Sequence, residues 1–446
     1  MSKIFRILIG VVTFALVVAS FGTIGIQHAS AQNATPDVGA CQSGAKQINF
    51  WHGLTGPDGA YLANLVKQYN TENKDGLCVN LTVYNWDVFF DKWLSGVQAG
   101  NPPDAVVLHI NEVPQYASLG AMAPMDDLAK QAGLDISGFP QTQQTYSHYN
   151  GKLYGAPLDV HPIGMYINVD LAKAAGLDPS KPPTDKQSFL DWAQKLTKSD
   201  GSVYGVCFAS VNVQSFRVWY GWLWQNDAKF ISDDGTKVTV NSPAAAETLQ
   251  FASDLISKYK VAPEGEQDPD TDFINGKCGI TFQGPWYIHG FIDAKLNFVT
   301  APQPVIFKHP GVWVSDHFLA VSQQSDASRE LAAAKFIKWT IDHADVWGQS
   351  GMVPTDKAVR EGKNYTSSDI YKYQKAFVGE LDYTHLTPVI TQSTEIFAEN
   401  NQTPLNVNFQ AALLGAKDVN TALKDMQDGI QAVIDKHPAP AATASK

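Results

Sequence analysis

NFWHGLTGPDGAYLANLVKQYN, residues 49–70, contains the decisive pattern of the chain. An apolar strand enters a Gly-rich turn. The turn then enters a helix in which Tyr61, Leu65 and Tyr69, with Leu62 and Val66, recur at i, i+4 spacing. Such a turn places backbone N–H groups at the rim of a crevice, beside a helix N-terminus, and suits an oxygen-rich ligand. Neither G-x-x-x-x-G-K-[ST] nor G-x-G-x-x-G is present, so it is not a nucleotide loop. As a plain tight turn it would carry no ligand at all.

The same order continues downstream. VNLTVYN (79–85) leads to an amphipathic stretch with Phe89, Phe90, Trp93, Leu94 and Val97, and AVVLHI (105–110) follows the turn GNPPD (100–104). Strand, helix, strand, helix, strand at this spacing predicts βαβ units on a parallel sheet. Ligands of such sheets lie beyond the carboxyl ends of the strands. The turn at 52–58, Asn85 to Asp87, and His109 to Glu112 are thereby expected around one crevice.

A second α/β unit is expected from about residue 159. KPPTDKQSFLDWAQKL (181–196) starts a helix, with Thr184 as N-cap and Gln187 closing a capping box. VYGVCFAS (203–210), CGITF (278–282) and FLAVS (318–322) read as strands, SDDGTKVTV as a turn before a short strand, and 327–341 as a helix. The length asks for two domains, no internal repeat is visible, and the Ala/Pro-rich 437–446 reads as a disordered tail.

Residues 1–31 read as an export signal. Lys3 and Arg6 precede an apolar run, and Ala29-Ser30-Ala31 fits a small-x-small cleavage site. Removing that segment takes away two cations and no acid, moving the net charge from −11 to −13. Nucleic acid and anionic membrane surfaces are disfavoured as partners, and a soluble monomer is expected. Four cysteines in an exported chain point to two disulfides, with Cys41–Cys78 and Cys207–Cys278 favoured over the other pairings. Two alternatives stay open: a lipid on Cys41, within Val38-Gly39-Ala40-Cys41, and Cys207 and Cys278 as buried free thiols.

Catalytic signatures are missing: there is no G-x-S-x-G and no H-E-x-x-H. The eleven histidines are scattered, and DPDTD (268–272) lacks the Gly and terminal Glu of an EF-hand. No metal and no cofactor is expected. Aromatics are the positive signal. All eleven Trp lie beyond residue 31, several beside turns: Trp86 in YNWD, Trp286 in QGPWYIHG, Trp313 in HPGVWVSDH. FRVWYGWLW (216–224) adds Trp219, Trp222 and Trp224. Sugars present apolar C–H faces with a polar rim, which an aromatic plate flanked by acids and amides receives; core packing is the competing role for each Trp.

FWHGLTGPDG, AGNPPDAVVLHINEVPQYASLGAMAPMDDL, GKLYGAPLDVHPIGMYINVDLAKAAGLDPSKPPTDKQSFLDWAQKL, GKCGITFQGPWYIHGF, the SREL…KFIKWTID segment with SGMVPT, and GAKDVNTALKDMQDGIQ stand in one order. In that order the chain resembles the extracellular solute-binding proteins of the carbohydrate class that feed ABC importers, over nearly all of residues 32–446. The resemblance implies a two-lobed, hinged α/β periplasmic-binding-protein fold. Its lobes would be 41–158 with 317–360, and 159–316 with 361–436. The crossings would fall at 157–161, at 316–318 and after about Arg360. It implies ligand contacts at Leu54, Thr55, Asp58, His109, Asn111, Glu112, Asp159, His161, Trp286, Trp313, Asp316 and Asn406, beside the candidates Asn85, Trp86 and Trp222. Leu108 and His161 depart from maltose-binding relatives, which carry Trp and Glu there, and no Arg or Lys stands at these positions. A small neutral saccharide delivered to an ABC permease is therefore expected, without catalysis. The competing readings are a secreted glycosidase or lectin-like module, and a metal, peptide or polyol-phosphate receptor on the same fold.

Overall fold

The computed structural model describes residues 36–436 apart from 211–212, 266–267 and 398–401. The export signal and the Ala/Pro tail lie outside the described residues.

The strands Lys46–His52, Leu77–Val83 and Ala105–Leu108 run parallel, with Phe50 opposite both Leu81 and Ala105. Ala105–Leu108 is apolar throughout because both of its faces are covered. Phe318–Val321 and Gly155–Pro157 complete a five-stranded sheet. Phe318–Val321 is antiparallel to both neighbours, which corrects the wholly parallel expectation. The chain leaves this sheet at Pro157, builds the other half, and re-enters at the same end, where Phe318 pairs with Pro157. On one face, the helices Gly59–Glu72 and Ala327–Asp342 meet the sheet through Phe336, whose ring stands edge-on to Phe50 and to Tyr69 at 5.0 Å each. Below them Asp104, fully buried, accepts from the Arg329 guanidinium and from Asn49 N–H (2.7 Å).

The other half is built on a four-stranded sheet ordered Phe298–Ala301, Gly164–Asn168, Cys278–Gln283, Tyr204–Cys207. Its core is rich in aromatic rings from the helices Lys186–Leu196, Val213–Gln225 and Pro243–Ser257. A third sheet, ordered Val353–Pro354, Asp159–Pro162, Val312–Ser315, Thr384–Leu386, forms the waist. Its two middle strands continue directly from Gly155–Pro157 and into Phe318–Val321. The third passage, expected after about Arg360, reaches the waist already at Val353–Pro354, which pairs with Val160 and Asp159.

Both favoured disulfides are present. Cys41–Cys78 ties the segment before the first strand to its neighbour, and its bond leaves Cys41 no thiol for a lipid. Cys207–Cys278 staples two adjacent strands, so these cysteines are not free thiols. Two local readings are corrected. The helix Lys186–Leu196 is capped one residue later than expected, by Asp185, whose carboxylate accepts from Ser188 N–H (2.9 Å) while the Ser188 hydroxyl bonds back. Asp185 offers a charged acceptor to the helix N-terminus where Thr184 has only a hydroxyl. The SDDGTKVTV segment forms only an isolated bridge, Ile231 with Val238, because consecutive turns occupy its residues.

Candidate functional site

A cavity of about 510 Å³ opens between the five-stranded half and the aromatic-rich half. One wall comes from loops that follow parallel strands. The strand Lys46–His52 delivers Leu54, Thr55 and Asp58, and the strand Ala105–Leu108 delivers His109, Asn111 and Glu112. Trp86 opens the helix Trp86–Gln98 and lies on the backbone of Gly53, where a Cβ would stand 2.1 Å from the indole. Only glycine allows that seat. Trp86 is held there by Phe90 (stacked, 5.7 Å), Phe89 and His109.

The opposite wall is aromatic with one cation. Phe216 and Arg217 come from the helix Val213–Gln225, Trp286 and Tyr287 from the turn after Cys278–Gln283, and Phe397 from the helix Ser393–Phe397. The Arg217 guanidinium lies 4.7 Å over the Trp313 ring and 5.6 Å from that of Trp286. Trp286 repeats the glycine seat: a Cβ on Gly284 would stand 1.8 Å from its ring. Behind that turn the Asp270 carboxylate accepts from Gln283 Nε2 (2.8 and 2.9 Å), and Gln283 Oε1 accepts from Gly284 N–H.

The floor is the waist. Asp159, fully buried, accepts from His161 Nδ1 (2.7 Å), His317 Nδ1 (2.7 Å) and Trp347 Nε1 (2.6 Å). Burial alone would raise its pKa, but His317 and His161 hold its carboxyl well below the usual carboxylate range. Burial pushes the His161 imidazole down to about 3 against the pull of Asp159, so His161 is neutral at pH 7. Asp316 is pushed the other way, well above the carboxylate range, by burial and by neighbouring Asp159. One of its oxygens accepts from Ile110 N–H (3.0 Å) and pins the loop that carries His109. Asp58, on the wall, is raised by burial to about 6.

Hydrogen bonds among the described residues bridge the two halves. Asn111 Nδ2 donates to Ser393 Oγ (2.7 Å), Gln115 and Thr394 exchange two hydrogen bonds, and the Tyr61 hydroxyl meets His289 Nδ1 (3.0 Å).

Of the residues singled out in the sequence, Leu54, Thr55, Asp58, Trp86, His109, Asn111, Glu112, His161, Trp286 and Trp313 line the cavity. Asn85, Asp159, Asp316, Trp222 and Asn406 are not among its described lining residues. Asn85 sits exposed at the start of its helix, and Asp159 and Asp316 act from behind the wall. Asn406 is buried in the first turn of Pro404–Leu413. Trp222 is corrected to a core residue: it is fully buried and stacks on Phe208 at 5.7 Å. It follows Arg217 by five residues, roughly 140° around the helix, and so faces away from the cleft.

The sequence reading missed Arg217, Phe216 and His317. Arg217 corrects the expectation that no basic group stands at the ligand positions. Its signal was the 3.6-residue period, which groups Val213, Phe216 and Arg217 on one helix face. His317 and His52 belong to a grouping that no local spacing of histidines marks. His52, His109, His161 and His317 come from separate strands and loops, and only the tertiary fold gathers them.

The family model for bacterial extracellular solute-binding proteins matches residues 64–372. The chain belongs to this family. As a solute-binding protein it is 26% identical, over 366 residues, to the sn-glycerol-3-phosphate-binding periplasmic protein of Pectobacterium atrosepticum, covering 76% of this chain and 80% of that one. The maltooligosaccharide ABC transporter solute-binding lipoprotein of Streptococcus pneumoniae is 24% identical over 381 residues, with 82% and 84% covered. Among solved structures, an ABC substrate-binding protein from Listeria monocytogenes in complex with cycloalternan superposes with a TM-score of 0.76 at 23% identity, covering 88% of this chain and 99% of that chain. A solute-binding protein of Thermotoga lettingae bound with α-D-tagatose gives 0.75 at 21%, covering 87% and 100%. These solute-binding proteins share the two-lobed α/β fold, and the cavity lies between the lobes. Among the described residues, no helix is long and apolar enough to cross a membrane.

Proposed function

We propose that this solute-binding protein is the extracytoplasmic receptor of an ABC importer, and that it carries a small neutral saccharide, as a monomer, to the permease. One observation supports this reading above the rest: the wall of Trp286 and Trp313 faces a wall of Asp58, Asn111 and Glu112 across a cavity of about 510 Å³. An aromatic plate takes the C–H face of a sugar ring while acids and amides take its hydroxyls, in a volume within the usual range for small-ligand sites. The lobes are taken as 41–158 with 317–360, and 159–316 with 361–436. Ligand that touches both walls favours the closed arrangement by its differential affinity. Arg217 on the aromatic wall favours a second reading, a polyol phosphate, which is also what the Pectobacterium relative is named for.

A thermal-shift panel separates them. Protein stripped of ligand by unfolding and refolding is tested with mono-, di- and oligosaccharides and with sn-glycerol 3-phosphate. A ligand at a hundred times its Kd adds about 2.7 kcal/mol of stability. One saccharide class standing out, and recovered intact, is the expected result. A shift with the phosphate alone would replace this reading by the second, and a flat panel would overturn both.

A further inference from the structure

Asp159 decides which nitrogen carries the proton in two histidines of the cleft floor. Its Oδ1 accepts from the His317 backbone N–H (3.3 Å) and its Oδ2 from the Trp347 indole N–H (2.6 Å), two groups that can only donate. The carboxylate is ionised, and both oxygens accept. His161 Nδ1 stands 2.7 Å from Oδ1 and His317 Nδ1 2.7 Å from Oδ2, so each ring holds a proton on Nδ1. In a neutral imidazole Nε2 is then left with a lone pair and no proton. Burial keeps His161 in that neutral form.

The two Nε2 atoms face the cavity. Both rings line it, and among the described residues no hydrogen bond reaches either nitrogen. Nor are they sealed: the buried side-chain atoms without a partner include His52 Nε2 and Trp313 Nε1 but neither of these. The ring centroids stand 4.7 Å apart, and Trp286 meets His161 edge-on at 5.2 Å, so both acceptors border the space beside the Trp286 plate. A solute there has to bring donors. Hydroxyls supply them. A methyl ether or a phosphate dianion supplies only lone pairs and leaves the buried acceptors unpaired, at a cost in affinity.

We infer that His161 and His317 are a specificity-determining pair of hydrogen-bond acceptors on the cleft floor, locked in that role by Asp159 as a positioning residue, and that they select a solute presenting hydroxyl donors to them. Asp159 lies at the first passage between the halves and His317 at the second, so no local pattern joins them. The solute half of this inference rests on the saccharide reading; the ring forms do not.

The test is ¹⁵N–¹H correlation of the histidine side chains, in ligand-stripped protein labelled at histidine and kept at pH 8. His161 and His317 should each show a protonated Nδ1 and a bare Nε2. His52 and His289 provide the internal contrast and should show the opposite form, because Leu54 N–H donates to His52 Nδ1 (3.1 Å) and His289 Nε2 stands 2.6 Å from the Gln349 carbonyl. Asp159→Asn offers one oxygen in place of two. The Trp347 indole N–H claims that oxygen, the amide nitrogen faces His161, and His161 alone should move its proton to Nε2. D-Glucose, D-galactose, maltose and cellobiose are then added singly to the wild type. Any that raises the thermal midpoint should shift the Nε2 signals of His161 and His317 with Nδ1 still protonated, and His161→Phe should weaken its binding about 10- to 100-fold. A proton on Nε2 of either ring in the ligand-free wild type would overturn the inference, as would an Asp159→Asn spectrum with both rings unchanged. Should that variant misfold, the wild-type spectrum decides the ring forms by itself. A sugar that binds without moving either Nε2 signal would overturn the selection of hydroxyls. Failure of the saccharide reading looks different: no sugar raises the midpoint while the ring forms stand, which removes the solute half alone.

Discussion

Both walls of the cleft seat a tryptophan on a glycine, yet the two seats are built differently. Trp86 lies on Gly53 and is boxed by Phe89, Phe90 and His109, so its ring is fixed by its own wall. Trp286 lies on Gly284 and meets His161 edge-on at 5.2 Å, with Arg217 nearby. Its ring is thus placed by a turn, a waist residue and a cation rather than by an aromatic box. The first wall presents acids and amides on loops after parallel strands. The second presents a flat apolar face with one charge. A ligand with one apolar and one hydroxylated side is oriented by that difference before any single hydrogen bond is made.

The largest effect should come from the tryptophan that does not reach the cleft. Trp222→Ala removes a fully buried ring stacked on Phe208, and is expected to cost about 3–5 kcal/mol of stability in urea unfolding. Its effect on ligand affinity, measured where the variant is folded, should be small. A loss of affinity at unchanged stability would return Trp222 to the site and undo the contrast between core and wall.

Next comes Trp286→Ala. Loss of the plate should weaken saccharide binding by about 2 kcal/mol in calorimetry, while the ligand-free thermal midpoint barely moves. Gly284→Ala should lower affinity in the same direction, because the new Cβ displaces the indole. If Trp286→Ala instead unfolds the protein with no specific affinity loss, the ring serves the core, and the two glycine seats have no common purpose.

How much of this was readable in the chain follows from where each wall comes from. The first wall was legible because strand, turn and helix are local patterns, and the carboxyl end of a parallel strand is a known address. The segments 52–58 and 109–112 follow from that, and the family resemblance singled out Thr55, Asp58, Asn111 and Glu112 within them. The second wall was legible only where a turn advertised itself, as at Trp286. Arg217 and Trp222 lie in one aromatic helix, and choosing between them needs the helix's rotation about its axis, which is set by packing against Phe208, Phe251 and Phe282. The antiparallel return of Phe318–Val321 and the meeting of four histidines are long-range events with no local signature.

Arg217→Gln offers a finer probe of the second wall. Losing the guanidinium over Trp313 and Trp286 should cost about 1–2 kcal/mol of affinity, with the larger loss for an anionic ligand. Equal losses for sugar and for phosphate would mean that Arg217 works by packing. A loss for phosphate alone would make the cation a selector of charge.

The smallest effect tests what props the second wall from behind. Asp270 holds Gln283, which holds Gly284, which seats Trp286. Burial raises the Asp270 pKa to about 6, with Asp268 adding to it and Gln283 opposing. A carboxyl whose folded pKa is raised contributes stability that is fully present below its unfolded value near 4 and is lost as pH rises through about 6. Wild-type stability should therefore carry a component, on the order of 1 kcal/mol, that falls between pH 4 and 6. Asp270→Asn keeps a hydrogen-bond acceptor for Gln283 and cannot ionise, so the difference between wild-type and variant thermal midpoints should change over that window and level off above it. Asp58, raised by burial to a similar value on the opposite wall, titrates in both proteins and cancels from the difference. A difference that stays flat from pH 4 to 7 would mean that Asp270 is already charged in the folded protein and that the Trp286 turn rests on an ionised support.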